Sequence, residues 1–244
     1  MKEFKVLDVS NTIGKHRFRK EIKAEELIEN MDYAGVDLAV IHSYAESEDN
    51  ESVYNAFKKY PKRFIGLYTI NPWKKDAVGK FIDAVDNKGF RGLYLNPIRH
   101  GYILSEKEVY YNLLEVCEKK GLPCWIYGGA EVFSSPVFFG DIANDFQKLN
   151  IIMGRMGLQY DNSSAVNLGK KFDNIYLETS TSMDFNTKRA IKTAGIEKVL
   201  LGTGTPNDNY FELEIKKVIN ATKEYKNGAS KVLWENAAKL FGIN

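Results

Sequence analysis

Eight short runs rich in β-branched and aromatic residues recur along the chain, and a helical pattern follows each of them. The runs cover residues 4–9, 36–42, 64–70, 92–95, 122–127, 151–156, 174–179 and 198–202. The segments between them predict helices at residues 24–34, 49–60, 75–88, 107–120, 137–149, 163–171, 186–194 and 209–225, with a closing helix at 233–242. Strands that alternate with helices, without a break in composition, predict a parallel sheet covered by helices. We therefore expect one α/β domain over residues 1–244, folded as a (β/α)8 TIM barrel.

The charge balance argues against several classes of partner. The 34 basic and 32 acidic residues give a net charge of +2, too little to attract nucleic acid or an anionic membrane. No apolar run approaches the ~18 residues of a membrane span, and the first residues do not resemble a signal peptide. We expect a cytoplasmic protein that binds neither nucleic acid nor membrane. Its two cysteines, Cys117 and Cys124, are expected to be buried thiols.

Seven segments resemble, in order, the motifs of the amidohydrolase-2 family of the amidohydrolase superfamily. They are residues 7–14 (LDVSNTIG), 70–73 (INPW), 89–97 (GFRGLYLNP), 122–127 (LPCWIY), 151–157 (IIMGRMG), 199–206 (VLLGTGTP) and 235–241 (ENAAKLF). The resemblance spans the chain and implies a TIM barrel with its site at the C-terminal ends of the strands. It also implies a hydrolase or a nonoxidative decarboxylase that uses one or two divalent metal ions, usually Zn²⁺.

The same resemblance places the family's metal ligands at five positions that have other residues here. Four positions where the family has His, and one where it has Asp, are Ser10, Thr12, Tyr127, Arg155 and Gly204. A catalytic Zn²⁺ needs about three nitrogen, sulfur or carboxylate ligands and an open position for water. Hydroxyl groups are poor ligands, a guanidinium repels the cation, and glycine offers no donor. We therefore expect a divergent member of the family with no metal ion and no cofactor.

The alternation of side chains along a strand predicts which residues face the barrel interior. From this parity we expect an interior that contains Asp8, Ser10, Thr12, Trp125, Tyr127, Ile151, Met153, Arg155, Tyr176 and Glu178. Its principal charges would be Asp8, Arg155 and Glu178. A buried guanidinium needs an anionic partner or water, since an unpaired buried charge costs several kcal/mol.

Three functions remain open on this evidence. Arg155 could bind a small, polar or anionic molecule that is then hydrolysed or cleaved, with Ser10, Thr12, Tyr127, Asn96 and Gly204 completing the ligand site. It could instead pair with Glu178 or Asp8 in a catalytically inert scaffold. A cavity of about 300 Å³ or more at the strand ends would count against the scaffold. A metal-dependent hydrolase with unconventional ligands is the third alternative.

Two residues are candidates for acid–base catalysis, His100 and Glu178. His100 follows the fourth strand, and imidazole titrates near neutral pH. A relocated metal site would have to use His16, His42, His100 or Glu131, which are scattered and lack ligand spacing.

Adjacent aromatic residues suggest a contact between subunits. Neighbours on one helix cannot all face the same side, so Tyr110-Tyr111 and Phe138-Phe139 predict an exposed aromatic face and a homo-oligomer.

Overall fold

The computed structural model describes residues 4–129 and 132–243. Within these residues the strands are β1 Leu7–Ile13, β2 Leu38–Ser43, β3 Phe64–Gly66, β4 Tyr68–Thr69, β5 Leu93–Leu95, β6 Cys124–Tyr127, β7 Ile151–Gly154, β8 Ile175–Glu178 and β9 Val199–Leu200. Only Leu67 separates β3 from β4, and the two belong to one predicted strand. The described chain therefore contains the eight strands that the sequence predicts.

The strands close into a barrel. β1, β2 and β3 pair in parallel, and β4 to β9 pair in parallel in chain order. Leu67 continues the first sheet by donating from its amide to the Ile41 carbonyl at 2.9 Å. At the other seam, the Val9 amide donates to the Leu201 carbonyl and the Gly204 amide to the Ser10 carbonyl, both at 2.9 Å. The prediction of a (β/α)8 barrel is confirmed.

The helices are α1 Ala24–Ala34, α2 Asn50–Lys59, α3 Ala77–Asp83, α4 Pro97–His100, α5 Lys107–Lys120, α6 Phe139–Asp145, α7 Asn162–Lys171, α8 Asp184–Ala194, α9 Phe211–Thr222, α10 Gly228–Ser230 and α11 Asn236–Leu240. Single π-helical turns extend α3 (Ala84–Lys88) and join α10 to α11 (Lys231–Glu235). A 3-10 turn at Pro136–Phe138 replaces the start of the predicted helix at 137–149. Among the described residues, no helix is long and apolar enough to cross a membrane.

Helix α5 shows how the sequence pattern becomes structure. Its buried residues include Val109, Leu113 and Cys117, which lie four apart and therefore on one face. Two lysines end the helix, where the carbonyl end of the helix dipole favours positive charge. Gly121 then adopts φ 65° and ends it.

The apolar core has two parts. The larger cluster lies between strands and helices and includes Cys117 and Cys124, which are buried free thiols as predicted. The smaller cluster contains the inward residues of the barrel, among them Leu7, Val40 and Leu200.

The adjacent aromatic residues do not form an exposed face. Tyr110 and Phe139 are fully buried, and Tyr111 packs its ring against Phe146 with centroids 4.8 Å apart. Tyr111 and Phe138 are half-buried against the core, so these pairs expose little aromatic surface, and the subunit contact stays a prediction.

Three interior assignments from parity are wrong, those of Asp8, Ile151 and Met153. A bulge shifts the register of β1 between Asp8 and Asn11, so the inward residues are Leu7, Val9, Ser10 and Thr12 while Asp8 pairs with outward Ala39. On β7 the inward residue is Ile152, and both Ile151 and Met153 pack toward the helices. Parity holds for Trp125, Tyr127 and Tyr176, which join the inner cluster.

Candidate functional site

A polar cavity of about 210 Å³ opens at the C-terminal ends of the strands. This volume lies below the roughly 300 Å³ that a ligand pocket usually has. The predicted ligand-binding residues all line it, namely Ser10, Thr12, Asn96, Tyr127, Arg155 and Gly204. They come from segments far apart in sequence, which the closed barrel brings to one rim.

Arg155 reaches this cavity through an unusual turn. Strand β7 ends at Gly154, and Arg155, Met156 and Leu158 then have φ values of 63°, 29° and 51°. Positive φ in residues with a side chain costs of order 1–3 kcal/mol each and persists only where the surroundings enforce it. The Glu178 carboxylate enforces it here by accepting the Arg155 amide at 2.8 Å. The turn directs the guanidinium over the Tyr127 ring, 4.7 Å from its centroid.

The acidic partner of Arg155 is Asp208, which sequence reasoning missed. The Nη2 atom of Arg155 donates to Oδ2 of Asp208. Burial acts to lower the pKa of Arg155, but the Asp208 carboxylate raises it above its ordinary value. The guanidinium therefore does not form its ion pair with Glu178 or Asp8, the partners named for the inert scaffold. Asp208 follows a glycine-containing loop after β9. The polar residues of that loop are the sequence signal that could have pointed to a site residue there.

Gly204 explains how Asp208 enters the site. A Cβ placed on Gly204 would lie 2.8 Å from Asp208 Cβ and 3.0 Å from its Cγ. The Asp208 side chain therefore occupies the space that a side chain at residue 204 would need. Gly204 also has φ 70°, which disfavours other residues.

Glu178 and Asp8 lie behind the cavity wall and do not line it. Glu178 is fully buried and accepts from the Ser180 hydroxyl at 2.9 Å in addition to the Arg155 amide. Burial raises the pKa of Glu178 despite these bonds. Burial likewise raises the pKa of Asp8 to about 8. Glu178, one of the two predicted catalytic residues, thus contacts the Arg155 backbone and does not line the cavity.

Aromatic rings form one wall of the cavity. His42 stacks on Tyr94 with centroids 3.7 Å apart, and Tyr94 stacks on Trp125 at 5.0 Å. Burial lowers the pKa of His42 to about 4, so the imidazole is neutral at pH 7. Its Nδ1 lies 2.9 Å from the Ser43 carbonyl and must be the protonated nitrogen, which leaves Nε2 as an acceptor. The buried Trp125 Nε1 donor has no partner among the described residues.

The other predicted catalytic residue, His100, does not reach the cavity. It ends α4, is buried, and donates from Nε2 to the Ala45 carbonyl at 3.0 Å. Burial lowers the pKa of its imidazole. His16 does line the cavity, 3.9 Å from Glu46. Glu131 lies outside the described residues.

A family model described as amidohydrolase matches residues 11–243. The chain belongs to this amidohydrolase family. None of the curated proteins matches it in sequence.

Solved structures share the amidohydrolase barrel at low identity. An uncharacterised TIM-barrel protein of Bordetella bronchiseptica is 17% identical, with a TM-score of 0.80 and coverage of 98% of this chain and 99% of that one. A 2,6-dihydroxybenzoate decarboxylase of Rhizobium is 15% identical, with a TM-score of 0.77 over 98% and 99% of the two chains. A 5-carboxyvanillate decarboxylase of Novosphingobium aromaticivorans, solved with manganese and 4-hydroxy-3-methoxy-5-nitrobenzoic acid, is 15% identical, with a TM-score of 0.76 over 99% and 97%. At these identities the likeness establishes the fold.

At the positions where the resemblance places the family's metal ligands, the cavity has residues that are not typical metal donors, although His16, His42, Glu46 and Asp208 also line it. Ser10 and Thr12 offer neutral hydroxyls, Gly204 has no side chain, and the Arg155 guanidinium brings a positive charge. Across residues 4–129 and 132–243, no three His, Cys, Asp or Glu side chains are grouped so as to hold a metal ion. A hard or borderline cation needs several such ligands at once.

Proposed function

We propose that this amidohydrolase-family barrel binds a small carboxylate in its cavity without a metal ion, and acts on it as a hydrolase or a lyase. The observation that carries the proposal is Arg155, a guanidinium that a strained turn aims into the cavity. A structure keeps such strain where the side chain's direction matters.

The chemistry of the lining supports a flat, anionic ligand. The planar fork of Arg155 suits a carboxylate, to which it can donate two hydrogen bonds. The hydroxyls of Ser10, Thr12 and Tyr127 can bond the remaining polar atoms, and neutral His42 offers Nε2 as an acceptor for a proton. The wall formed by Tyr94 and Trp125 is suited to an aromatic or unsaturated skeleton.

The ligands of similar structures support the same class. One neighbour is a 2,6-dihydroxybenzoate decarboxylase solved with its substrate, and another is a probable 2-pyrone-4,6-dicarboxylic acid hydrolase with citric acid bound. Both names describe carboxylates.

The proposal is tested by measuring the binding of small carboxylates, with benzoate as the reference probe, by titration calorimetry. Arg155→Ala should weaken binding by at least about tenfold, because a hydrogen bond to a charged group is worth about 1.5–3 kcal/mol. Arg99→Ala is the matched control, since Arg99 lines the same cavity but pairs with Glu46 at 3.1 Å. Equal affinities of the wild type and Arg155→Ala for every bound carboxylate would overturn the proposal.

An inert scaffold is the second candidate, and two observations favour it. Arg155 already has an ion-pair partner, and the cavity is small for a ligand site. The scaffold predicts that no carboxylate binds and that Arg155→Ala changes stability alone. The calorimetric titration therefore distinguishes the two functions.

A further inference from the structure

We propose that Asp208 is an exchangeable counter-ion, which the carboxylate of an entering ligand displaces from Arg155. The side chain of Asp208 would then set the affinity of the cavity for anions. This inference rests on the proposed function of the cavity. Arg155 promotes the binding of a carboxylate there, and Asp208 opposes it.

The bonding of the pair leaves it open to exchange. In the part of the chain that the structure describes, the Arg155 guanidinium makes one hydrogen bond, from Nη2 to Asp208 Oδ2. A guanidinium has five N–H donors, so four of them have no hydrogen bond to a described residue. Neither partner is sealed, since the side chains are 20% and 23% exposed. A ligand carboxylate can approach Arg155 without crossing the core.

Apart from Arg155, no side chain among the described residues forms a hydrogen bond with the Asp208 side chain, and the backbone of its loop holds the residue in place. Its amide and that of Asn207 donate to the Gly204 carbonyl, at 3.1 Å and 2.9 Å. The carboxylate reaches Arg155 only because residue 204 lacks a side chain, as shown by the 3.0 Å between a Cβ at Gly204 and Asp208 Cγ. By contrast, the same arginine has a fixed carboxyl group on its backbone side, where buried Glu178 accepts its amide. The two acids therefore have separate tasks, one fixing the turn and one neutralising the guanidinium.

The groups around Asp208 do not replace it as the counter-ion. Arg19 and the Tyr44 hydroxyl both donate to Asn207 Oδ1, at 3.4 Å and 2.8 Å. Tyr94 and Tyr127 are phenols on the facing wall, and neutral His42 lies beside Tyr94. The other acid of the cavity is Glu46, near His16 and paired with Arg99. A bound carboxylate would thus meet Asp208 as its nearest competitor.

The experiment compares benzoate and the uncharged benzamide in calorimetric titrations of the wild type and five variants, namely Asp208→Asn, Asp208→Ala, Glu46→Gln, Arg155→Ala and Arg155→Ala/Asp208→Asn. Asp208→Asn should bind benzoate about fivefold more tightly than the wild type, since it removes one competing charge of about 1 kcal/mol. Benzamide affinity should not change. Glu46 is an acid of the same cavity that does not pair with Arg155. Glu46→Gln should therefore leave benzoate affinity unchanged. In Arg155→Ala/Asp208→Asn the gain should disappear.

Each outcome bears on one proposal or the other. If Asp208→Asn binds benzoate no more tightly than the wild type while Arg155→Ala loses benzoate affinity, the counter-ion proposal is overturned. The proposed carboxylate site is then retained. An equal gain in Glu46→Gln also overturns it, because the effect would then be one of net charge. Failure of both the wild type and Asp208→Asn to bind benzoate counts against both proposals. Thermal unfolding verifies that each variant is folded, and Asp208→Ala serves as the second substitution.

Discussion

The Thr203 hydroxyl lies between two oxygen atoms, Asp8 Oδ2 at 2.5 Å and Thr205 Oγ1 at 2.7 Å. Thr205 in turn must donate its own proton to the Asn209 carbonyl, at 3.0 Å. Because a hydroxyl has one proton, Thr203 cannot donate in both directions. The chain of bonds is complete if Asp8 carries a proton and donates it to Thr203, which then donates to Thr205. This count agrees with the burial that raises the pKa of Asp8 to about 8.

The protonation of Asp8 predicts how stability depends on pH. The ordinary pKa of 3.8 applies in the unfolded chain, so between about pH 4 and pH 8 the folded protein keeps a proton that the unfolded chain has lost. The contribution of Asp8 to the free energy of unfolding is therefore largest below pH 4 and decreases as pH rises to 8. Asp8→Asn, which imitates the protonated acid, should reduce this decrease. Urea unfolding at pH 5, 6, 7 and 8 measures it.

The control for that measurement is Asp173→Asn, because the Asp173 side chain is fully exposed. This variant should retain the pH dependence of the wild type. An identical pH dependence in Asp8→Asn and the wild type would contradict the assignment of the proton to Asp8.

Strand β7 and the turn that follows it set the positions of two cavity side chains, Trp125 and Arg155. The inward position after Ile152 is Gly154, and a Cβ there would lie 2.8 Å from Trp125 Cε2. The absent side chain lets the Trp125 indole lie across the barrel beneath the cavity. The strand then ends, and the turn at Arg155 replaces parity as the factor that sets side-chain direction.

Gly154→Ala should therefore destabilise the protein by about 1–3 kcal/mol, the usual cost of overpacking a core. Backbone strain does not contribute, because Gly154 has φ −61°. Gly140→Ala is the control, since its Cβ would lie 3.2 Å from Leu168 Cδ2, the end of a flexible side chain, and alanine favours helix α6. Urea unfolding of the two variants gives the comparison. A loss below about 0.5 kcal/mol for Gly154→Ala would show that the indole can move aside.

In the whole molecule, barrel closure brings the end of β6 and the loops after β1, β2, β5, β7 and β9 around one cavity. The same closure gathers the positions where the family has metal ligands, and here it gathers hydroxyls and a guanidinium. The organisation as one domain over residues 1–244, the cytoplasmic location and the homo-oligomer stay predictions.

Because the cavity has hydroxyls and a guanidinium at the positions of the family's metal ligands, we expect the purified protein to contain little metal. Protein purified without added metal should contain less than roughly a tenth of an equivalent of zinc, manganese, iron or nickel, since a specific site would be close to full. Elemental analysis measures this directly. One equivalent that survives dialysis against a chelator would contradict the metal-free proposal and favour a hydrolase with unconventional ligands.

Local patterns in the sequence are enough to predict the barrel, because the periods of strand and helix are local properties of the chain. The ordered family motifs then assign residues to the strand ends. Those motifs also pointed to Ser10, Thr12, Tyr127 and Arg155, which do line one cavity. Only the tertiary structure decided the partner of Arg155. Asp208 reaches it from a loop 53 residues later in the chain, through space that Gly204 leaves free, and no local pattern encodes such a contact. The exclusion of His100 from the cavity has the same origin, since the packing of α4 against the Ala45 carbonyl fixes the direction of that ring.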